Sequence, residues 1–164
     1  MAALVTAYVD GADLRERFVV FDRQTQCALV RSLGRFLAEL HDAFEFDEYG
    51  EVVVADGAVA AVLDRESPLA AAPALSVAKA EYLVADWYVA DPDPLRTAFA
   101  TGYEAVRPLP PVEPVHRAAA VCRTAVDSTG TVTNPGYPEF DREAAVAFHR
   151  RALKRALVDA ASGD

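Results

Sequence analysis

One stretch constrains this chain more than any other. Leu29, Leu33, Phe36, Leu37, Leu40 and Phe44 recur at steps of three and four. That period places them along one face of an α-helix, predicted over residues 23–44. The opposite face carries Arg31, Arg35 and Glu39. Asp22 precedes the stretch and suits an N-cap, because a carboxylate can accept an N–H that the first helical turn leaves unpaired. A long helix with one apolar stripe has to bury that stripe, so the rest of the chain must supply partners. It has the means: 52% of its 164 residues are hydrophobic and only 25% are charged. This is a composition that folds, at a length suited to one domain spanning residues 1–164.

The partners read as further helices and a little sheet. Residues 3–9 form a short β-prone run ending at Asp10-Gly11. EVVVA and AVAAVL flank Asp56-Gly57, a dipeptide whose positive-φ tolerance favours a tight hairpin turn. Strands are therefore predicted near 51–55 and 58–63. Leu75, Ala78, Tyr82, Ala85 and Val89 line one face of a predicted helix over 74–90. The run Asp91-Pro92-Asp93-Pro94 ends that helix and starts another, with Asp93 as N-cap and Pro94 in the first turn. In this helix Leu95, Ala98, Phe99, Gly102, Tyr103 and Val106 should face inward. After the stiff connector PLPPVEP, a helix near 113–127 should turn Val115, Ala118, Cys122 and Ala125 to one side. Residues 127–138 form the longest loop, and Asp141 can cap a last helix reaching about residue 160. Its basic run, Arg150, Arg151, Lys154 and Arg155, reads as a solvated face near a helix C-terminus. The fold class is α+β and predominantly helical, with a short N-terminal strand and a small antiparallel hairpin.

Charge narrows the partners. A net charge of −9 repels phosphate backbones and anionic lipid, so neither nucleic acid nor membrane is expected. No apolar run reaches the ~18 residues of a membrane helix. The opening MAALVTAYV lacks the basic flank and cleavage site of a signal peptide, which points to a cytoplasmic protein. Only two of the sixteen basic residues are lysines. Acid excess with few lysines fits a salt-rich cytoplasm, as in a halophilic archaeon, and fits a GC-rich genome equally well. Cys27 and Cys122 have no metal-type spacing and read as reduced core thiols, with no zinc site among them and the three histidines.

Several segments, in order, resemble one family. LVTAYVDGADLRERF (4–18) is similar to a kinase hinge, and ALVRSLGRFLAELHDAF (28–44) carries the pattern LGxxLAxLH. GAVAAVLDRES (57–67) is similar to a hairpin leading to a metal-binding Asp, and LAAAPALSVAKAEYL (69–83) to the helix after it. FATGY (99–103) matches a Phe-x-x-Gly-Tyr pattern. Together they resemble the phosphotransferase family of aminoglycoside, choline and fructosamine kinases, which has a protein-kinase-like fold. The resemblance implies a C-lobe, with Thr6, Ala7 and Tyr8 offering backbone to adenine. It also implies Asp64 as a magnesium ligand, joined by Glu66. Any surviving cofactors would be Mg²⁺ and ATP, weakly held.

The catalytic parts of that family do not follow. Phosphoryl transfer needs a phosphate cradle, a lysine, metal ligands and a base that orients the acceptor hydroxyl. No His-x-Asp occurs in the chain; His41-Asp42 lacks the intervening residue, and Asp47 stands five residues beyond Asp42 in place of asparagine. Asn134 is the only asparagine and falls after the metal segment. The first lysine is Lys79, and no glycine-rich loop precedes the hinge-like strand. Arg65 replaces an aromatic, and Ala72 and Ser76 stand where the family often has Asp. Tyr49-Gly50 runs almost directly into VVVADG, and the resemblance implies an internal deletion near residues 50–56. The chain is thus expected to be a truncated phosphotransferase-like C-lobe without kinase activity of its own and with no catalytic residues. The alternatives are an interaction module, pairing with itself or a full-length relative, or one half of a split kinase. A third reading is an enzyme of another kind, built on His41 with Glu45, Asp47, Glu48 and Glu51.

Overall fold

The computed structural model describes residues 12–43, 51–55, 58–63, 72–87, 89–135 and 140–161. Helices dominate. A two-residue strand β1 (Ala12–Asp13) leads into one turn of helix, α1 (Leu14–Arg17), and a 3₁₀ turn at Phe18–Val20. The long helix α2 spans Arg23–Ala43. Strands β2 (Glu51–Ala55) and β3 (Ala58–Leu63) follow, then α3 (Pro73–Glu81), a π-helical turn (Tyr82–Asp86), α4 (Asp93–Glu104), α5 (Pro114–Thr124) and α6 (Arg142–Ala161). The three strands form one antiparallel sheet in the order β1-β2-β3. Val52 pairs with Val62, and the register slips between Val53 and Val54. The sheet lies beside α2 through β3 and beside α1 through β2. The strand-like run 3–9 and the Asp56-Gly57 turn lie outside the described residues.

Helix α2 starts where the sequence places its cap. The Thr25 amide donates to Asp22 Oδ1 at 2.7 Å, and these hydrogen bonds hold the Asp22 carboxyl below its usual pKa. Its stripe of Leu29, Val30, Leu33, Leu37 and Ala38 is buried, together with Phe18 ahead of it. The main partner of α2 is α4. Leu95, Phe99 and Tyr103 of α4 are fully enclosed against it, and Val77, Ala80, Val84 and Ala85 close the core from a third side. Burying a side chain the size of Phe99 contributes about 2–3 kcal/mol.

The α2–α4 crossing is unusually close, and two glycines allow it. A Cβ added at Gly34 would run into the Phe99 carbonyl, with the Tyr103 amide nitrogen 3.1 Å away. One added at Gly102 would run into the Arg31 carbonyl, with Arg31 Cα at 3.0 Å. Each glycine therefore receives the other helix's backbone where any side chain would stand. The obstacle is main chain, which no rotamer change can move.

Several boundaries differ from the sequence pattern. The predicted helix over 74–90 is regular only to Glu81, widens into the π turn and ends at Asp86; Val89 packs on the core from the loop beyond. Asp93 is the first residue of α4, not its cap. The Pro92 carbonyl accepts from the Leu95 and Arg96 amides, and Asp93 sits in the first turn, where its charge suits the positive helix end. Val106 lies beyond the end of α4 and is exposed. On α5 the predicted face is rotated: Ala120 and Val121 are buried, whereas Val115 is 67% exposed and Cys122 is exposed. Cys122 is therefore not a core thiol, and Cys27 is only half-buried. At the start of α6, Asp141 Oδ1 accepts from the Ala144 amide at 2.8 Å, the cap its sequence position implies. Arg150, Arg151, Lys154 and Arg155 are exposed.

Replacing Gly102 by alanine is predicted to destabilise the fold by about 3 kcal/mol or more, since two helix backbones must separate. Glu104→Ala, on the exposed side of the same helix, should cost about 0.5 kcal/mol or less. Urea titrations of the two variants measure the difference.

Candidate functional site

The site residues inferred by resemblance, Thr6, Ala7, Tyr8, Asp64 and Glu66, all lie outside the described residues, as do Glu45, Asp47 and Glu48 of the acidic stretch. The polar chemistry that the described residues do assemble sits at two buried histidines and in one arginine-lined cavity.

The first node joins three helices. His41, in the last turn of α2, is only 6% exposed. Its Nδ1 lies 2.7 Å from the Tyr103 hydroxyl of α4, and its Nε2 lies 2.9 Å from the Ser76 hydroxyl of α3. The Tyr103 ring meets the imidazole edge-on, with centroids 5.7 Å apart. The sequence spacing carries the reason: His41 follows Leu33 and Leu37 at steps of four, so it occupies a core register of α2. Both ring nitrogens are occupied, which satisfies a polar group that would otherwise be costly to bury. Burial, and secondarily the nearby Arg107 cation, push the His41 pKa down to about 4. Burial also raises the Tyr103 pKa. A neutral imidazole closed in by two hydroxyls is a structural tie. It has no free nitrogen with which to act as the base of a solvent-facing site.

The second node ties α6 to the π turn. His149 Nε2 lies 2.7 Å from the Thr133 carbonyl, which can only accept, so Nε2 carries the proton. Nδ1 then accepts from the Tyr82 hydroxyl at 2.6 Å. Burial raises the Tyr82 pKa, keeping the phenol in the donating form. Trp87 and Phe148 pack around the pair. Neither node is announced by a motif. What the sequence offers is a histidine on an apolar helical register, with Ala145, His149, Ala152 and Ala156 spaced as His41 is on α2. The chain's one asparagine has a local role: Asn134 Nδ2 donates to the Phe140 carbonyl at 2.6 Å, and its Oδ1 accepts from the Phe140 amide at 3.1 Å.

Beside the second node lies a cavity of about 120 Å³ walled by α3, the π turn, α4, α5 and α6. Three arginines line it: Arg96, Arg117 and Arg155. Arg96 donates to Asp86 at 2.7 Å, and Arg117 donates to Glu81 at 2.5 Å. The carboxylates sit deeper than their partners, at 10% and 7% exposure. The π turn helps set this up, because its wider winding ends at Asp86, opposite Arg96. Among the described residues no group of three or more His, Cys, Asp or Glu could hold a metal ion. No described helix is long and apolar enough to cross a membrane.

No protein-family model matches this chain, and no curated protein or solved structure matches it either.

The His41 node makes stability depend on pH. An imidazole with a folded pKa of about 4 and an ordinary value of 6.5 binds more protons unfolded than folded between those two values. Its contribution is therefore complete above pH 6.5 and lost as pH falls toward 4, by on the order of 3 kcal/mol. His41→Gln should flatten the dependence of unfolding free energy on pH between 6.5 and 4.5 by close to one proton. Paired urea titrations across that window measure it; equal slopes would show that the ring is not held neutral.

Proposed function

We propose that this chain is a phosphotransferase-type C-lobe that does not transfer phosphoryl groups by itself. The observation that carries this reading is the convergence at His41. The family resemblance rests on stretches far apart in sequence: LGxxLAxLH, the helix after the metal segment, and Phe-x-x-Gly-Tyr. Their characteristic residues meet. Gly34 and Gly102 receive each other's helices, and His41 hydrogen-bonds Tyr103 and Ser76. Ser76 stands where the family often has an anchoring Asp. Here a neutral hydroxyl makes the contact, which a neutral imidazole accepts at no cost in buried charge.

The same resemblance argues against turnover. The end of α2 offers His41-Asp42 without the intervening residue, and Asp47 stands five residues beyond Asp42 in place of asparagine. His41 itself is occupied structurally. A Mg²⁺ or Mg–ATP contact would fall to Asp64 and Glu66, with Arg65 between them as an opposing cation. The adenine would touch Thr6, Ala7 and Tyr8. Pairing with a full-length relative, or with the missing half of a split kinase, would restore what the chain lacks.

Purified protein incubated with Mg–ATP and a panel of aminoglycosides, choline and fructosamines is predicted to show no phosphate transfer above the enzyme-free rate. Transfer that disappears in Asp64→Ala would overturn this.

A further inference from the structure

We propose that the cavity between α3, the π turn, α4, α5 and α6 is a binding site for a small tetrahedral oxyanion of the phosphate class, held by Arg96, Arg117 and Arg155. The site is separate from the His41 node and does not depend on the phosphotransferase reading.

The protein carries nine net negative charges, yet this cavity is lined by three arginines from three different helices. Two of them already have a carboxylate partner, Asp86 for Arg96 and Glu81 for Arg117. Arg155 makes no ion pair with either of these carboxylates. Arg96 also faces Asp93 at 4.0 Å, so three guanidinium groups stand against three carboxylates, and an anion would be held by their remaining N–H donors, not by excess charge.

Donor geometry points the same way. A guanidinium has five N–H groups. Arg117 gives one to Glu81 from Nη1, and Arg96 turns Nη2 to Asp86 and Nη1 toward Asp93 at 4.0 Å. The buried carboxylates fix the two guanidinium planes while leaving other N–H donors for the cavity. Fixed, oriented arginines are what bidentate recognition of an oxyanion requires. They project from the first turns of α4 and α5 and the later turns of α6. Arginines contributed by three separate helices suit the several oxygens of a tetrahedral anion better than the two of a planar carboxylate. The floor fits as well: Tyr82 is hydrogen-bonded to His149 and uncharged, and the alanines that line the wall leave room without competing for donors. A volume of about 120 Å³ accommodates one phosphate group.

Titration calorimetry with inorganic phosphate tests this, with chloride at matched ionic strength as the control for general screening of an acidic protein. The expected result is saturable binding at a dissociation constant of about 1 mM or tighter, accompanied by a rise in melting temperature that chloride does not give. Arg155→Gln should weaken binding about tenfold, and Arg155→Glu should abolish it. Arg155 is exposed and holds no buried carboxylate, so both variants should keep the parent's circular dichroism and melting temperature without phosphate. Glycerol 3-phosphate in a second titration separates the sources: tighter binding than inorganic phosphate identifies a phosphate ester as the ligand, and weaker binding identifies the free anion. Absence of saturable binding would overturn the proposal. So would unchanged binding in folded Arg155→Glu, or acetate binding as well as phosphate.

Discussion

The structure depends on how closely α2 and α4 approach. Helices in contact are commonly 8–10 Å apart, the spacing that side chains between them impose. Here Gly34 and Gly102 remove the side chains at the crossing, and each faces the other helix's carbonyl. The consequence spreads outward. Phe99 and Tyr103 reach full burial because α4 lies so near α2, and Tyr103 is thereby placed to hydrogen-bond His41 in the last turn of α2. His41 in turn reaches Ser76, so α3 is fixed to the same pair. A steric allowance at two positions thus sets the geometry of three helices.

Polar groups inside the core are handled by neutral pairs where the helices meet most tightly and by ion pairs nearer the surface. His41, neutralised by burial, pairs with the Tyr103 hydroxyl, and His149 meets the uncharged Tyr82 phenol, which spares the desolvation cost of burying an ion pair. Glu81 and Asp86, at the edge of the second core cluster, are ionisable and are each met by an arginine that remains one-third exposed. The guanidinium groups stay partly hydrated while the carboxylates are covered. That division is why arginine donors remain available around the cavity.

The sequence makes the long helix legible because its apolar stripe is wide and its cap is polar and local: Asp22 needs only Thr25. Asp141 is legible for the same reason. What could not be read depends on distant partners. The α5 face was misplaced because RAAAVC offers alanines at successive positions, so a 3.6-residue period has no definite phase. Packing of α5 against α3 and α6 decides it instead, turning Ala120 and Val121 inward. The π turn at Tyr82–Asp86 has no local signature; its residues read as plain helix. The histidine nodes and the arginine cavity are assemblies of residues 35 to 67 positions apart or drawn from separate helices, beyond what spacing can reveal. The sites inferred from resemblance, at residues 6–8, 64 and 66, lie outside the described residues.

Native-state hydrogen exchange tests most directly whether the glycine crossing holds the fold together. Amides of α2 around Gly34 and of α4 around Gly102 should be the slowest in the protein and should exchange only through global unfolding, while α5 and α6 open at lower free energy. If α4 amides exchanged as fast as those of α6 while α2 stayed protected, the crossing would not be the element on which the structure depends.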